Sequence, residues 1–178
     1  MAKYIALLRG INVSGVKIIK MEDLRTIFAR MGYTQVQTYI QSGNVVFDAP
    51  ATPIPKLTAD ITKGLATALG YQVPVVVIKA ATMQAIAIQD AFTNSIKSVS
   101  AAKKYVAFLE KKLSNEQIST LASLANPADT YLPQGDVIYI SIDETKGKSL
   151  FTNMLLEKKL KLYATTRNWN TVCKLAQM

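Results

Sequence analysis

Apolar positions along this chain follow two rhythms, and the switches between them mark out its elements. Residues 3–9 and 73–79 are nearly continuous in apolar character, as strands covered on both faces are. Between them, Met21, Leu24, Ile27, Phe28 and Met31 fall at helical spacing over residues 20–31, and Gly32 supplies a stop. Residues 36–41 and 44–48 read as two strands of a hairpin turning at Ser42 and Gly43. Thr52 and Pro53 open a second helix whose stripe is Ile54, Leu57, Ile61, Leu65 and Leu69, closed by Gly70. The predicted order for residues 1–80 is β-α-β-β-α-β.

The second half runs through the same order. Residues 105–110 predict a strand, and Ser114 with Gln117 forms a capping box ahead of Ile118, Leu121 and Leu124. A hairpin follows over 129–132 and 136–142, then a helix over 150–160, a strand over 162–165 and a final helix over 166–177. The repetition extends to letters: TYIQSGNVVF at 38–47 returns as TYLPQGDVIY at 130–139, and KYIALL at 3–8 as KYVAFL at 104–109. Self-similarity at this scale signals a duplicated supersecondary unit. The expected fold is α+β, a tandem duplication of two ferredoxin-like βαββαβ units with a C-terminal helix. The expected divisions are 1–80, a linking helix and linker over 81–102, and 103–178. Within the linker, the polar, Ser-rich stretch 93–102 is expected to be mobile.

Composition narrows the class. At 178 residues and 49% apolar, the chain suits a packed core and not disorder. It shows no apolar run of the ~20 residues a membrane helix needs, and no signal-peptide pattern. Cys173 is the single cysteine, so an internal disulfide is excluded, and a reducing cytoplasm is expected. A net charge of +9 with no histidine favours an anionic partner at any pH near neutrality. The plain alternative is a basic surface that only keeps the protein in solution.

Three separated stretches resemble one family. YIALLRGINV at 4–13, YIQSGNVVF at 39–47 and TTRNWNTV at 165–172 look like the signatures of domain-of-unknown-function family 1697, and Val73-Pro74-Val75 fits as well. Ser14 departs from the pattern, where a second glycine beside Gly15 is expected. The resemblance implies a bacterial cytoplasmic protein of one or two ferredoxin-like units, and it implies no activity; any cofactor is left open.

The chemistry must therefore come from the residues. Gly10 and Gly15 have the spacing of a phosphate loop after a strand, but Val16 stands where a Walker loop needs Lys, and Lys17 is one place late. What survives is a loop offering backbone N–H groups, with charge from Arg9, Lys17 and Lys20. The turn Gln41-Ser42-Gly43-Asn44 meets a sister turn, Pro133-Gln134-Gly135-Asp136, that keeps only the glycine. Turn geometry tolerated that loss, so Gln41, Ser42 and Asn44 become functional candidates. Arg9 shows the same asymmetry against Glu110.

In the last helix, Trp169, Val172, Cys173 and Ala176 form the expected core stripe, with Trp169 largely buried; Thr165 or Thr166 caps it, and Arg167 and Asn168 lie in its first turn. Without histidine there is no Ser-His-Asp triad and no histidine metal site. The acidic pairs Glu22-Asp23 and Asp143-Glu144 read as a helix start and a solvated turn. Stacking of RNA on an open sheet through Tyr4, Phe47, Tyr105 or Tyr139 is disfavoured, because no segment has the basic-Gly-aromatic pattern of that module.

The leading expectation is a basic binding module for a small phosphate- or carboxylate-bearing ligand, with Arg9, Asn12, Gln41, Ser42, Asn44, Arg167 and Asn168 as its site and no metal. Arg9, Gln41, Asn44, Arg167 and Asn168 are expected to converge. The alternatives are a small enzyme on nucleotide or phosphorylated substrates and a protein-interaction scaffold.

Overall fold

The computed structural model describes residues 1–13, 15 and 17–178. The Ser14 departure and the Val16 position fall outside the described residues. The chain divides into two compact units, Met1–Gln84 with Leu175–Met178, and Ala85–Lys174.

The first unit runs β1 (Ala2–Leu8), α1 (Met21–Arg30), β2 (Thr34–Tyr39), β3 (Asn44–Ala49), α2 (Ile54–Leu69) and β4 (Val75–Lys79). Its four strands form one antiparallel sheet in the order β2-β3-β1-β4. Glu22 and Asp23 sit in the first turn of α1 and Arg30 in its last, each complementing the helix dipole. Pro53 stands at the α2 entry, and Gly70 ends α2 in the left-handed conformation at φ 77°. The predicted stripes point inward: Leu24 and Phe28 from α1, and Leu57, Ile61 and Leu65 from α2, pack on Tyr4, Ala6, Leu8, Val45 and Phe47. Phe47 meets Phe28 edge-on at 5.4 Å and stacks near Tyr4 at 5.9 Å. Each such fully buried side chain contributes about 1.5–3 kcal/mol of transfer free energy. Ile5, Leu7 and Val46, on the sheet's other face, are buried as well.

α3 (Ala80–Gln89) leads on, and the division between units falls inside it. The second unit holds β5 (Lys103–Leu109), α4 (Asn115–Ala122), β6 (Asp129–Gln134), β7 (Val137–Ile142), α5 (Asn153–Leu160) and β8 (Ala164–Asn168), followed by α6 (Trp169–Ala176). Its sheet has the matching order β6-β7-β5-β8, also antiparallel. The capping box forms as read: Ser114 Oγ accepts from Gln117 N–H and Gln117 Oε1 accepts from Ser114 N–H. Gln117 Nε2 also donates to Leu160 O at 2.5 Å, tying α4 to the end of α5. Leu121, Leu156 and Leu160 pack on Ala107, Leu109, Ile138 and Ile140. Among the described residues the chain thus holds two four-stranded antiparallel sheets and six α-helices, and no helix is long and apolar enough to cross a membrane.

Two expectations change here. Residues 93–96, the first part of the stretch expected to be mobile, form a helical turn with Phe92, which is fully buried against Tyr139 at 5.4 Å. Residues 166–168 belong to β8 and not to the final helix. Thr165 and Thr166 are β-branched and suit a strand, and Asn168 is the residue that caps α6, its Oδ1 accepting from Thr171 N–H at 2.8 Å.

Candidate functional site

The residues singled out in the first unit gather at one end of its sheet. Leu8 N–H donates to Gly43 O at 2.8 Å and Arg9 N–H to Pro74 O at 2.9 Å, so the end of β1 meets the β2–β3 turn. Asn12 then clasps the loop before α1 onto that turn. Its Nδ2 donates to Gln41 O at 2.8 Å and Ile19 O at 3.0 Å, and its Oδ1 accepts from Ile19 N–H at 2.8 Å. Asn44 is fully buried, and its Nδ2 donates to Tyr39 O and to Ser42 Oγ. Lys17 Nζ donates to Gln72 O at 2.9 Å, with the Tyr71 ring 5.4 Å away.

These contacts give the asymmetry between the two turns a structural cause. The second half has only a short link between β5 and α4, so it has no long loop to clasp. Asn12 binds the Gln41 carbonyl, and Pro133 stands at the matching place in the second turn. Gly43, at φ 81°, also makes room: a Cβ there would lie 2.7 Å from Ile11 Cδ1 and 2.8 Å from Leu8 Cβ. At Gly135 the same atom would meet nothing within 4 Å.

In the second unit, Arg167 and Asn168 are consecutive on β8. Arg167 is not in a first helical turn, and so does not oppose a helix dipole. It pairs with Val106 across the sheet, is 7% exposed, and donates from Nη1 to Thr165 Oγ1 and Thr166 O, both at 2.9 Å.

Asn168 opens onto a feature that the sequence pattern does not reveal. A cavity of about 420 Å³ lies where the start of β5 meets the end of β8, lined by Lys103, Lys104, Tyr105, Asn168, Trp169 and Asn170. The register explains the meeting, since Tyr105 pairs with Asn168. No carboxylate is among the described residues that line it. Lys103 Nζ reaches Glu144 at 2.8 Å, and the hydrogen bond and charge of that partner raise its pKa. Lys104 Nζ lies 5.8 Å from the Phe92 ring centre. Trp169 keeps some exposure, with most of its surface covered; the most buried residues of α6 are Thr171, Val172 and Leu175. A hollow of about 500 Å³ between α1 and α2 of the first unit is lined by Ile27, Met31 and Thr67, with Arg30, Lys63 and Asp60 giving it mixed charge.

The titratable groups that depart from ordinary behaviour serve the scaffold. Asp129 is fully buried, and its Oδ2 accepts from Asn126 Nδ2, Leu150 N–H and Phe151 N–H at 2.8, 2.8 and 3.1 Å. Burial pushes its carboxyl up, and hydrogen bonds from Ser149, Asn126, Leu150 and Phe151 together outweigh that and hold it low. Burial and the Asp129 charge push Tyr131 up to about 12. Asp143 caps the short turn Glu144–Lys146, accepting from Thr145, and that bond leads the causes lowering its pKa. Burial, then the charge of Asp90, pushes the half-buried Cys173 thiol up, which disfavours a reactive thiolate. Among the described residues no three His, Cys, Asp or Glu cluster as a metal site would need.

A family model described as a protein of unknown function, DUF1697, matches residues 1–139. The solved structure of conserved bacterial protein SP0830 from Streptococcus pneumoniae is similar, with a TM-score of 0.77 and 23% identity over 99% of this chain and 97% of that one. At that identity the likeness is one of fold alone. None of the curated proteins matches the chain.

Proposed function

We propose, from the premise that this chain belongs to the DUF1697 family of proteins of unknown function, that it is a binding module for a small anionic ligand seated beside Lys103 and Lys104. The observation that carries this is the cavity of about 420 Å³, lined by two lysines and two asparagines with no carboxylate among the described lining residues. That volume lies in the range of small-molecule sites, roughly 300–1,000 Å³. Lysine offers a phosphate or carboxylate a charged donor, and asparagine NH2 groups add directional bonds. The net charge of +9 draws anions toward the surface before any contact forms.

We read each unit as ferredoxin-like and the chain as a tandem duplication. The support is the shared element order, the shared strand order and the repeat of 38–47 at 130–139, which falls on the same hairpin in each unit. On this reading the copies diverged in role: the first acquired the clasped loop, the second the basic cavity.

The test is a thermal-shift screen of the full chain against phosphate, citrate, phosphosugars and nucleotides at low and high salt. A salt-sensitive stabilisation lost in Lys104→Ala, with the unliganded midpoint unchanged, is the expected result. No stabilisation by any anion at millimolar concentration overturns the reading.

A further inference from the structure

The walls of the cavity are aromatic as well as basic, and the two chemistries are adjacent. The Trp169 ring centre and Lys104 Nζ lie 5.1 and 5.8 Å from the same Phe92 ring centre. We propose, building on the anion-binding reading above, that the ligand is a mononucleotide, with its base against Trp169 and its phosphate on Lys104.

Ring anchoring supports this. Phe92 is fully buried, meets Tyr139 edge-on, and holds the Trp169 indole at an interplanar angle of 71°. Packing therefore fixes one side of the indole, while its exposed part lines the cavity. Rings held in place lose little freedom when a planar ligand stacks on them, and stacking tolerates every base because each has a π-face.

The polar groups fit the rest of such a ligand. Asn168 commits its carboxamide oxygen to the α6 cap, so its NH2 is what it can offer an acceptor. Asn170, one turn position on and exposed, brings both a donor and an acceptor, the pair needed to read a base edge. Lys103 is held by Glu144 in an exposed pair, which a phosphate can displace. A cavity of about 420 Å³ suits one nucleotide.

Trp169 is the only tryptophan in the chain, so its emission reports on this site directly. The full chain is titrated with AMP, GMP, CMP and UMP, and separately with adenosine, glucose 6-phosphate and inorganic phosphate. At least one mononucleotide should quench the emission saturably, with a Kd at least tenfold below those of adenosine, glucose 6-phosphate and phosphate. By calorimetry, Lys104→Gln and Trp169→Leu should each weaken that nucleotide tenfold or more, and Trp169→Phe should stay within threefold, all with unchanged far-UV circular dichroism. Glucose 6-phosphate binding as tightly as every mononucleotide overturns the mononucleotide assignment while leaving an anion site in place. No binding of any anion, phosphate included, overturns both.

Discussion

Replacing Gly43 with alanine should cost far more than the same change at Gly135, although the two glycines occupy matching hairpin turns. Both have positive φ, 81° and 60°, which costs an L-residue about 1–2 kcal/mol. At Gly135 the cost ends there, since the new methyl meets nothing within 4 Å. At Gly43 the methyl would lie 2.8 Å from Leu8 Cβ, which the β1 backbone fixes, and 2.7 Å from Ile11 Cδ1, whose residue is 1% exposed and has no space to retreat. Overpacking of that kind adds about 1–3 kcal/mol. The expected losses are about 2–5 kcal/mol for Gly43→Ala and about 1–2 kcal/mol for Gly135→Ala. With a urea slope of about 1–3 kcal/mol per molar, the two midpoints should differ by roughly 1 M. Hydrogen exchange gives a local check. The Ile19 amide, bonded to Asn12 Oδ1, should exchange faster in Gly43→Ala and be unchanged in Gly135→Ala. Equal losses in the two variants, or an undisturbed Ile19 amide in Gly43→Ala, would refute the account of the clasped loop.

Other outcomes follow from the second unit. Asp129→Ala should destabilise by about 2–4 kcal/mol, because it strands the Leu150 N–H and removes bonds to a carboxylate, as urea unfolding will measure. Asp129 has a folded pKa below its unfolded value, so the unfolded state binds its proton more tightly; stability is fully present above about pH 4 and falls as pH drops below it, and Asp129→Asn should flatten that acid limb. Trp169→Ala should lower stability by about 2–4 kcal/mol, a little under the about 3–5 kcal/mol of a fully buried aromatic, because part of the residue stays exposed. Glu144→Gln should tighten anion binding about two- to fivefold by releasing Lys103 from an exposed pair, read by calorimetry at fixed salt.

Period and punctuation in the sequence place elements such as α1 and α2 well, because these have an apolar stripe and a Gly at the end. The capping box at Ser114 and Gln117 was visible for the same reason: it is local. Where reading failed, a distant partner decided. Thr166 and Arg167 look equally suited to a helix start, and only pairing with Ala107 and Val106 places them in a strand. Residues 93–96 are a polar run by composition, and they follow Phe92, which packs on Tyr139 and Trp169, into a helical turn. The cavity joins residues 103–105 to 168–170, which no spacing rule connects, although Asn168 was already a candidate. Asn12, Gln41, Ser42 and Asn44 stand out in the sequence, yet only the hydrogen bonds show that Asn12 holds a loop to the Gln41 carbonyl while Asn44 and Ser42 bond within the turn.

The outer strands beside the two hairpins carry different interruptions with one effect. In β2, Gln35 has φ 50° and the register with β3 shifts between Thr34 and Gln37. In β6, Pro133 stands opposite Ile138 and has no N–H to give. An extended segment from a neighbouring molecule would find a broken ladder at either place and could not add itself as a further strand. On that side of each sheet the chain is guarded against fibrillar growth during crowding or slow folding, when exposed edges are most hazardous. Charge contributes little to that guard, because the ladder itself is what is missing.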